Sequence, residues 1–212
     1  MDERVKDILE WIYCIIIALV LALLFRYFIA TPTIVKQRSM YPTLKEDQRL
    51  ILNRTYRLTG KEPKRGDIIT FEAPSSDYKK WEADQSNPVA KYENEPQGFF
   101  NRFVYYNLEL TKKSYIKRVI ALPGEHVKIE NNTVYINGKI LEEDYLEPDV
   151  VTGSEVFHDF IVPEGYFFAM GDNRTKSTDC RTLGCIPMEK LEGIVSFRFW
   201  PFDVFGKIEG EK

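Results

Sequence analysis

From Ile8 to Ile29 the chain runs through about 22 mostly apolar residues, "ILEWIYCIIIALVLALLFRYFI". At about 1.5 Å per residue, a helix of that length covers the roughly 30 Å hydrocarbon core of a bilayer. Glu10 and Arg26 lie near the ends of the run, where they can reach the headgroups, and Trp11 and Tyr27 suit the interfaces. A cleaved leader normally has a shorter apolar stretch and a small-x-small site just after it. Here the following "RYFIATPT" carries bulky residues, so the expectation is a single uncleaved anchor at residues 8–30 behind a short segment, 1–7. Arg4 and Lys6 precede the run while Arg26, Lys36 and Arg38 end or follow it. That count does not favour an inside N-terminus, but a long downstream domain crosses largely regardless of charge.

The remainder, residues 31–212, has the material for one sizeable core: the 212-residue chain is 44% hydrophobic and 29% charged. A formal net charge of −3 argues against nucleic acid as a partner, since such proteins present a strongly basic face. Two histidines and three cysteines without CxxC or HExxH spacing leave little for a metal site. No cofactor is expected.

Short runs rich in Val, Ile, Phe and Tyr, bounded by Gly, Pro, Asn and Asp, predict a mainly β domain. They are "RLILNRTYRL", "GDIITFEAP", "SYIKRVIALPGE", "HVKIENNTVYINGKIL", "EGYFFAMGDN" and "LEGIVSFRFWPF". Asn131-Asn132 marks a hairpin, because Asn tolerates positive φ. Residues 75–113 break the pattern and read as an insertion. Its second half gathers Phe99, Phe100, Phe103, Val104, Tyr105 and Tyr106 with Lys112 and Lys113 close behind. Two readings stay open for these aromatics: cover for a sheet face, or a surface that dips into lipid headgroups.

Just past the anchor stands "RSMYPTL", residues 38–44. Ser39 there is a poor nucleophile unless a base takes its proton. His126 and His158 lie in no recognisable catalytic setting. A lysine serves if burial brings its pKa from about 10.4 toward neutrality, a change worth about 4 kcal/mol. Lys117, in "SYIKRVIA", has apolar neighbours, and strand alternation puts it on one face with Tyr115 and Val119, opposite Ile116 and Arg118.

Five blocks in order, "RSMYPTL", "RGDIITFEAP", "YIKRVIALPGE", "MGDNRTKSTDCRTLG" and "GIVSFRFWPF", resemble type I signal peptidases. These are membrane-anchored serine endopeptidases that remove signal peptides from exported preproteins. The likeness covers nearly all the chain except the insertion. It implies a signal-peptidase-like β domain behind a single transmembrane helix, with Ser39 as nucleophile and Lys117 as general base. It further implies that Ser177 orients the lysine, that Tyr115 packs beside it, and that Asp179 and Arg181 form a structural ion pair. Gly171, Asp172 and Asn173 match the turn that shapes the site, and Met40 and Pro42 belong to the serine block. The Ser39 N–H would donate to the oxyanion.

The resemblance also implies exported preproteins and the lipid bilayer as partners, a cytoplasmic N-terminus and an extracellular catalytic domain at the cell membrane. Three departures stand out. Gln37 occupies the place where some members carry a hydroxyl as second oxyanion donor. Ala121 replaces a common Gly. Cys180 replaces a common Ser, with Cys185 five residues on, either as two free thiols or as a bridge in an oxidising exterior. The competing readings are a self-cleaving Ser/Lys repressor, against which the anchor and acidic balance argue, and a factor of this fold dedicated to one substrate or to pilus assembly. A membrane-tethered β domain that only binds a partner would need all five blocks to coincide by chance.

Overall fold

The computed structural model describes residues 3–93, 96–109, 111–154 and 156–208; residues 1 and 2 of the N-terminal segment and 209–212 lie outside them. The apolar run forms helix α1, Glu3–Phe28, long and apolar enough to cross a membrane and with no residue buried against the rest of the protein. Without burial in a core, so apolar a helix needs a lipid environment.

Among the described residues, eleven strands form two sheets. They are β1 (Ala30–Ile34), β2 (Arg49–Asn53), β3 (Ile68–Glu72), β4 (Ser114–Ala121), β5 (His126–Glu130) and β6 (Thr133–Ile136). The series continues with β7 (Lys139–Ile140), β8 (Asp159–Ile161), β9 (Tyr166–Met170), β10 (Ile186–Pro187) and β11 (Leu191–Trp200). The larger sheet has the order β1-β2-β11-β3-β4-β9-β10 and the smaller β7-β6-β5-β8. Each of the six runs singled out in the sequence contains at least one of these strands. The β5–β6 hairpin turns at Asn131 and Asn132, both at positive φ (50° and 63°).

Residue patterns follow the layers. In β5 and β6, Val127, Ile129, Val134 and Ile136 are buried and alternate with more exposed residues, the mark of a sheet with one covered face. They pack on Ile69, Phe71, Val119 and Phe167 of the larger sheet to make the main core. β3 is buried at all five positions, because its other face meets a second cluster of Val35, Met40, Leu44, Leu50, Leu52 and Val195 around Ile68. Three of those side chains belong to the segment around Ser39. The loop that carries Ser39 is thus pinned to the sheet by burial of Val35, Met40 and Leu44.

The segment from Phe99 departs from the strand pattern. Phe99–Phe103 is a short helix leading into one wide helical turn at Val104–Leu108. Phe99 and Phe100 are 88% and 74% exposed, so these two rings do not cover a sheet face. The first half of the same segment runs beside β10: Ala90 N–H donates to the Cys185 carbonyl and Tyr78 N–H to that of Thr182.

No flexible linker separates α1 from the domain. The helix ends at Phe28 and β1 begins at Ala30. Thr31 Oγ1 donates to the Arg26 carbonyl at 2.8 Å, and Arg57 donates to that of Tyr27 at 3.0 Å while lying over its ring. β1 is an edge strand of the larger sheet. Deleting residues 1–28 is expected to leave a folded domain, whereas extending the deletion to Lys36 strips β1 and Val35 and lowers the melting midpoint by about 5 °C or more. Thermal unfolding of the two fragments checks this, and equal midpoints would contradict it.

Candidate active site

Ser39 sits in a single 3-10 turn, Arg38–Met40, directly after an extended Gln37. Its carbonyl accepts from Asn173 N–H at 3.0 Å, and the Asn173 side chain donates to the Arg38 carbonyl at 3.1 Å. The turn after β9 thereby holds the serine turn by its backbone and leaves the hydroxyl free to point elsewhere. It points at Lys117: Nζ donates to Ser39 Oγ at 2.8 Å. The two residues are 78 apart in sequence.

Lys117 is 1% exposed and Ser39 8%. The register of β3 on β4 places Lys117 opposite Ile69 and Tyr115 opposite Phe71, so the lysine stem runs along the main core. The Tyr115 ring centroid lies 5.1 Å from Nζ, and the ring itself stands edge-on to Phe71. Burial lowers the Lys117 pKa from its ordinary 10.5 to about 8, against the opposing pull of Asp179 and with help from Arg181. Desolvation disfavours the ammonium more than the nearby carboxylate restores it.

Asp179 is buried, and although its own desolvation pushes its pKa up, its bonds to Arg181 and the Gly171 N–H outweigh that and hold it below the ordinary carboxylate value. Arg181 Nε and Nη2 reach its two oxygens at 2.8 and 2.9 Å, and Gly171 N–H donates at 2.9 Å. Gly171 has no room for a side chain: a β-carbon there would collide with Ser177 Oγ and with the Ser39 carbonyl. Ser177 Oγ is buried and lies beside Asp179, with no hydrogen bond of good geometry to any described residue, Lys117 included.

A second buried pair locks the same region. Arg118 grips Asp172 through two bonds of 2.9 and 2.8 Å, donates to the Gly66 carbonyl at 3.0 Å and stacks 3.9 Å from the Tyr145 ring centroid. Thr43, four residues after the serine and just past Pro42, donates to Asp172 at 2.6 Å. Asp172 thus ties β4, the end of β9 and the loop after Ser39 into one unit. The roles of Arg118 and Thr43 were not read from the sequence, because 54 and 129 positions separate them from Asp172.

Among the remaining candidates, Gln37 is exposed and lines the cleft mouth beside Ser39. Met40 is buried below the turn, and Pro42 follows it through a cis bond. His158 is exposed on the far side of the main core, and His126 Nε2 lies 2.7 Å from Asp159 Oδ1 in the smaller sheet. Neither histidine meets Ser39. Cys180 and Cys185 are buried free thiols whose pKa values burial pushes up.

A cleft of about 570 Å³ opens from Ser39. β1 pairs only with β2, and β9 meets β4 only from Arg118 onward, so both Thr31–Gln37 and Ser114–Lys117 present free strand edges to it. An extended peptide can add as a strand there.

The model of one known family, signal peptidase of the peptidase S26 type, matches residues 8–200. Signal peptidase IB of Staphylococcus aureus strain COL is 33% identical over 94% of this chain and 93% of its own. Signal peptidase I T of Bacillus subtilis strain 168 is 34% identical over 95% and 90%. The crystal structure of a signal peptidase I from Enterococcus faecalis V583, 29% identical, covers 64% of this chain and 98% of its own with a TM-score of 0.41.

A buried amine with a depressed pKa destabilises the fold wherever it is still protonated. Below pH 8 both folded and unfolded chains carry the proton, and the displacement from 10.5 to about 8 costs about 3 kcal/mol. Above about pH 10.5 neither carries it and the cost vanishes. Lys117→Met, apolar and of similar length, is therefore expected to unfold later than the parent below pH 8, with the advantage shrinking between pH 8 and 10.5. Denaturant titrations across that range test the sign; a variant less stable at pH 7 would contradict it.

Proposed function

The chain belongs to the signal peptidase family, peptidase S26, and from that premise we propose that it is a membrane-bound endopeptidase working through a Ser39–Lys117 dyad. Its activity is that of signal peptidase I, the removal of signal peptides from exported preproteins. The observation that carries the dyad is the 2.8 Å contact between a serine hydroxyl and a buried amine whose pKa lies near 8.

In this reading the neutral fraction of Lys117 takes the Ser39 proton as Oγ attacks the scissile carbonyl. The Ser39 N–H, and the side-chain amide of Gln37 at the cleft mouth, donate to the oxyanion. The resulting Lys117 ammonium gives its proton to the leaving amine, which departs with the mature protein. Lys117, neutral again, deprotonates a water that attacks the acyl-enzyme and frees the signal peptide. Tyr115 packs beside the amine, with the Asp179–Arg181 pair and the Gly171–Asn173 turn behind it; the hydrogen bond from Ser177 that the resemblance implied is not made among the described residues.

Topology completes the proposal: residues 1–7 inside the cell, 8–30 spanning, 31–212 outside, with the site near the outer leaflet. Ser39 lies eleven residues beyond the helix end at Phe28, at most roughly 40 Å of extended chain. A signal peptide already in the bilayer can reach it.

Full-length protein in detergent should cleave a preprotein after a small residue with another small residue two positions before it. Ser39→Ala, Lys117→Ala and Lys117→Arg should each lower turnover roughly a thousandfold or more while remaining folded, since a guanidinium stays protonated at working pH. His126→Ala and His158→Ala should retain activity. The rate constant kcat/KM should rise with pH through about 8, the ionisation of Lys117 in the free enzyme. Activity surviving in Lys117→Ala would sink the lysine assignment, and protection of the large domain from protease added to intact cells would reverse the topology.

A further inference from the structure

Residues 75–113 stand outside the five sequence blocks, and none of the aromatic residues between Phe99 and Tyr106 lines the cleft at Ser39. Along the short helix and the wide turn after it, Phe99, Phe103 and Asn107 recur at every fourth residue and share a face, with Phe100 beside them. All four are exposed, Phe99 by 88%, Phe100 by 74% and Phe103 by 38%. The other side is held to the domain: Tyr105 donates to Glu72 Oε1 at 2.9 Å, and its ring stands edge-on to that of Tyr106. Exposed apolar residues gathered on one face and displayed from a fixed root mark an interaction surface.

What covers this face follows from where the segment ends. Glu109, just past the wide turn, accepts from Arg54 at 2.7 Å and lies 3.9 Å from Arg57 and 3.7 Å from Arg26, which is in the last turn of α1. Tyr106 lines one cavity with Tyr27 and Phe28, the final two residues of α1. The segment therefore rises from the end of the domain that the apolar helix enters, and Phe99 is only about 10 Å of helix away from Tyr106. The headgroup layer there is roughly 5–7 Å deep. Arg102 is exposed on the same helix and Lys113 is exposed just behind it. Aromatic rings with cations close by favour that layer.

We propose that the segment Phe99–Leu108 is a second membrane contact: its phenylalanine face enters the headgroup layer of the leaflet from which α1 emerges, with Arg102 reaching the phosphates. This contact rests on α1 spanning the bilayer and not on the chemistry of Ser39. A single spanning helix leaves the attached domain free to turn about that helix's own axis. A second point of contact removes the freedom and fixes the direction in which the cleft at Ser39 opens along the membrane.

The test uses full-length protein with Cys14→Ser, which leaves the buried Cys180 and Cys185 as the remaining native thiols. A fluorophore is attached through Asn107→Cys, on the phenylalanine face, or through Lys139→Cys, exposed in the smaller sheet. Both are reconstituted in phosphatidylcholine vesicles that carry a nitroxide on the headgroup. Quenching should be strong at the Asn107 site and weak at the Lys139 site. Phe99→Ser combined with Phe100→Ser should lower the inserted-to-free ratio of the segment roughly tenfold or more, the worth of one partly buried ring, and bring quenching at the Asn107 site down to that at Lys139. Phe99→Leu combined with Phe100→Leu should preserve it. Melting in detergent should not distinguish the serine pair from the parent, since both rings are mostly exposed. Equal quenching at the two sites in the parent, or quenching at the Asn107 site that survives both serines, overturns the membrane contact. A lowered melting midpoint in the serine pair assigns the rings to the core and overturns it as well. Preprotein cleavage in detergent tests the peptidase reading separately, whichever way the quenching falls.

Discussion

In the proposed mechanism Lys117 works as a neutral amine and so has to be kept out of water, and much of this protein serves that need. Lys117 lies along the main core, below Tyr115 and beside Ile69. Burial alone would not suffice, because a buried carboxylate, Asp179, stands near enough to favour the ammonium. Arg181 clasps both oxygens of Asp179 and returns the local charge to balance. The ion pair has a purpose beyond cohesion: it lets a carboxylate organise the Gly171 backbone without recharging the amine. An unpaired buried charge there would be costly on its own account as well.

The second need is to bring a serine to that amine from 78 residues away. Burial of Met40 and Leu44 fastens the loop to the sheet, but apolar burial is poorly directional. Direction comes from hydrogen bonds: Asn173 to the carbonyls of residues 38 and 39, and Thr43 to Asp172, which Arg118 holds in turn. Since Arg118 follows Lys117 on β4 and faces the opposite way, one strand carries Lys117 on one side and the anchor of the Ser39 loop on the other. A one-residue slip of β4 would exchange them.

The strands were legible because β-branched and aromatic runs between turn residues have few alternatives, and the Asn131-Asn132 turn because positive φ suits Asn. "ATPTI" was not among the runs read as strands; β1 accepts Pro32 because it is an edge strand with a partner on one side only among the described residues. The helix of Phe99–Phe103 was hidden by residues whose intrinsic preference is for strands. Within the site, the pairing of Ser39 with Lys117 came from resemblance and could not come from spacing. Arg118 was placed only on the face opposite Lys117, and its role stayed hidden because its burial depends on a partner 54 positions away.

The direct passage from α1 into β1 has a mechanical consequence. With a hinge, the domain could roll on the membrane surface while the helix adjusted independently to its lipids. Here Thr31 and Arg57 clamp the last helical turn to the sheet, so helix and cleft move as a lever. A span longer than the local hydrocarbon thickness accommodates itself by tilting. At this junction such a tilt would swing Ser39 sideways and change its height above the lipid. Bilayer thickness thereby becomes a variable of the active site, set by the composition of the membrane in which the protein resides.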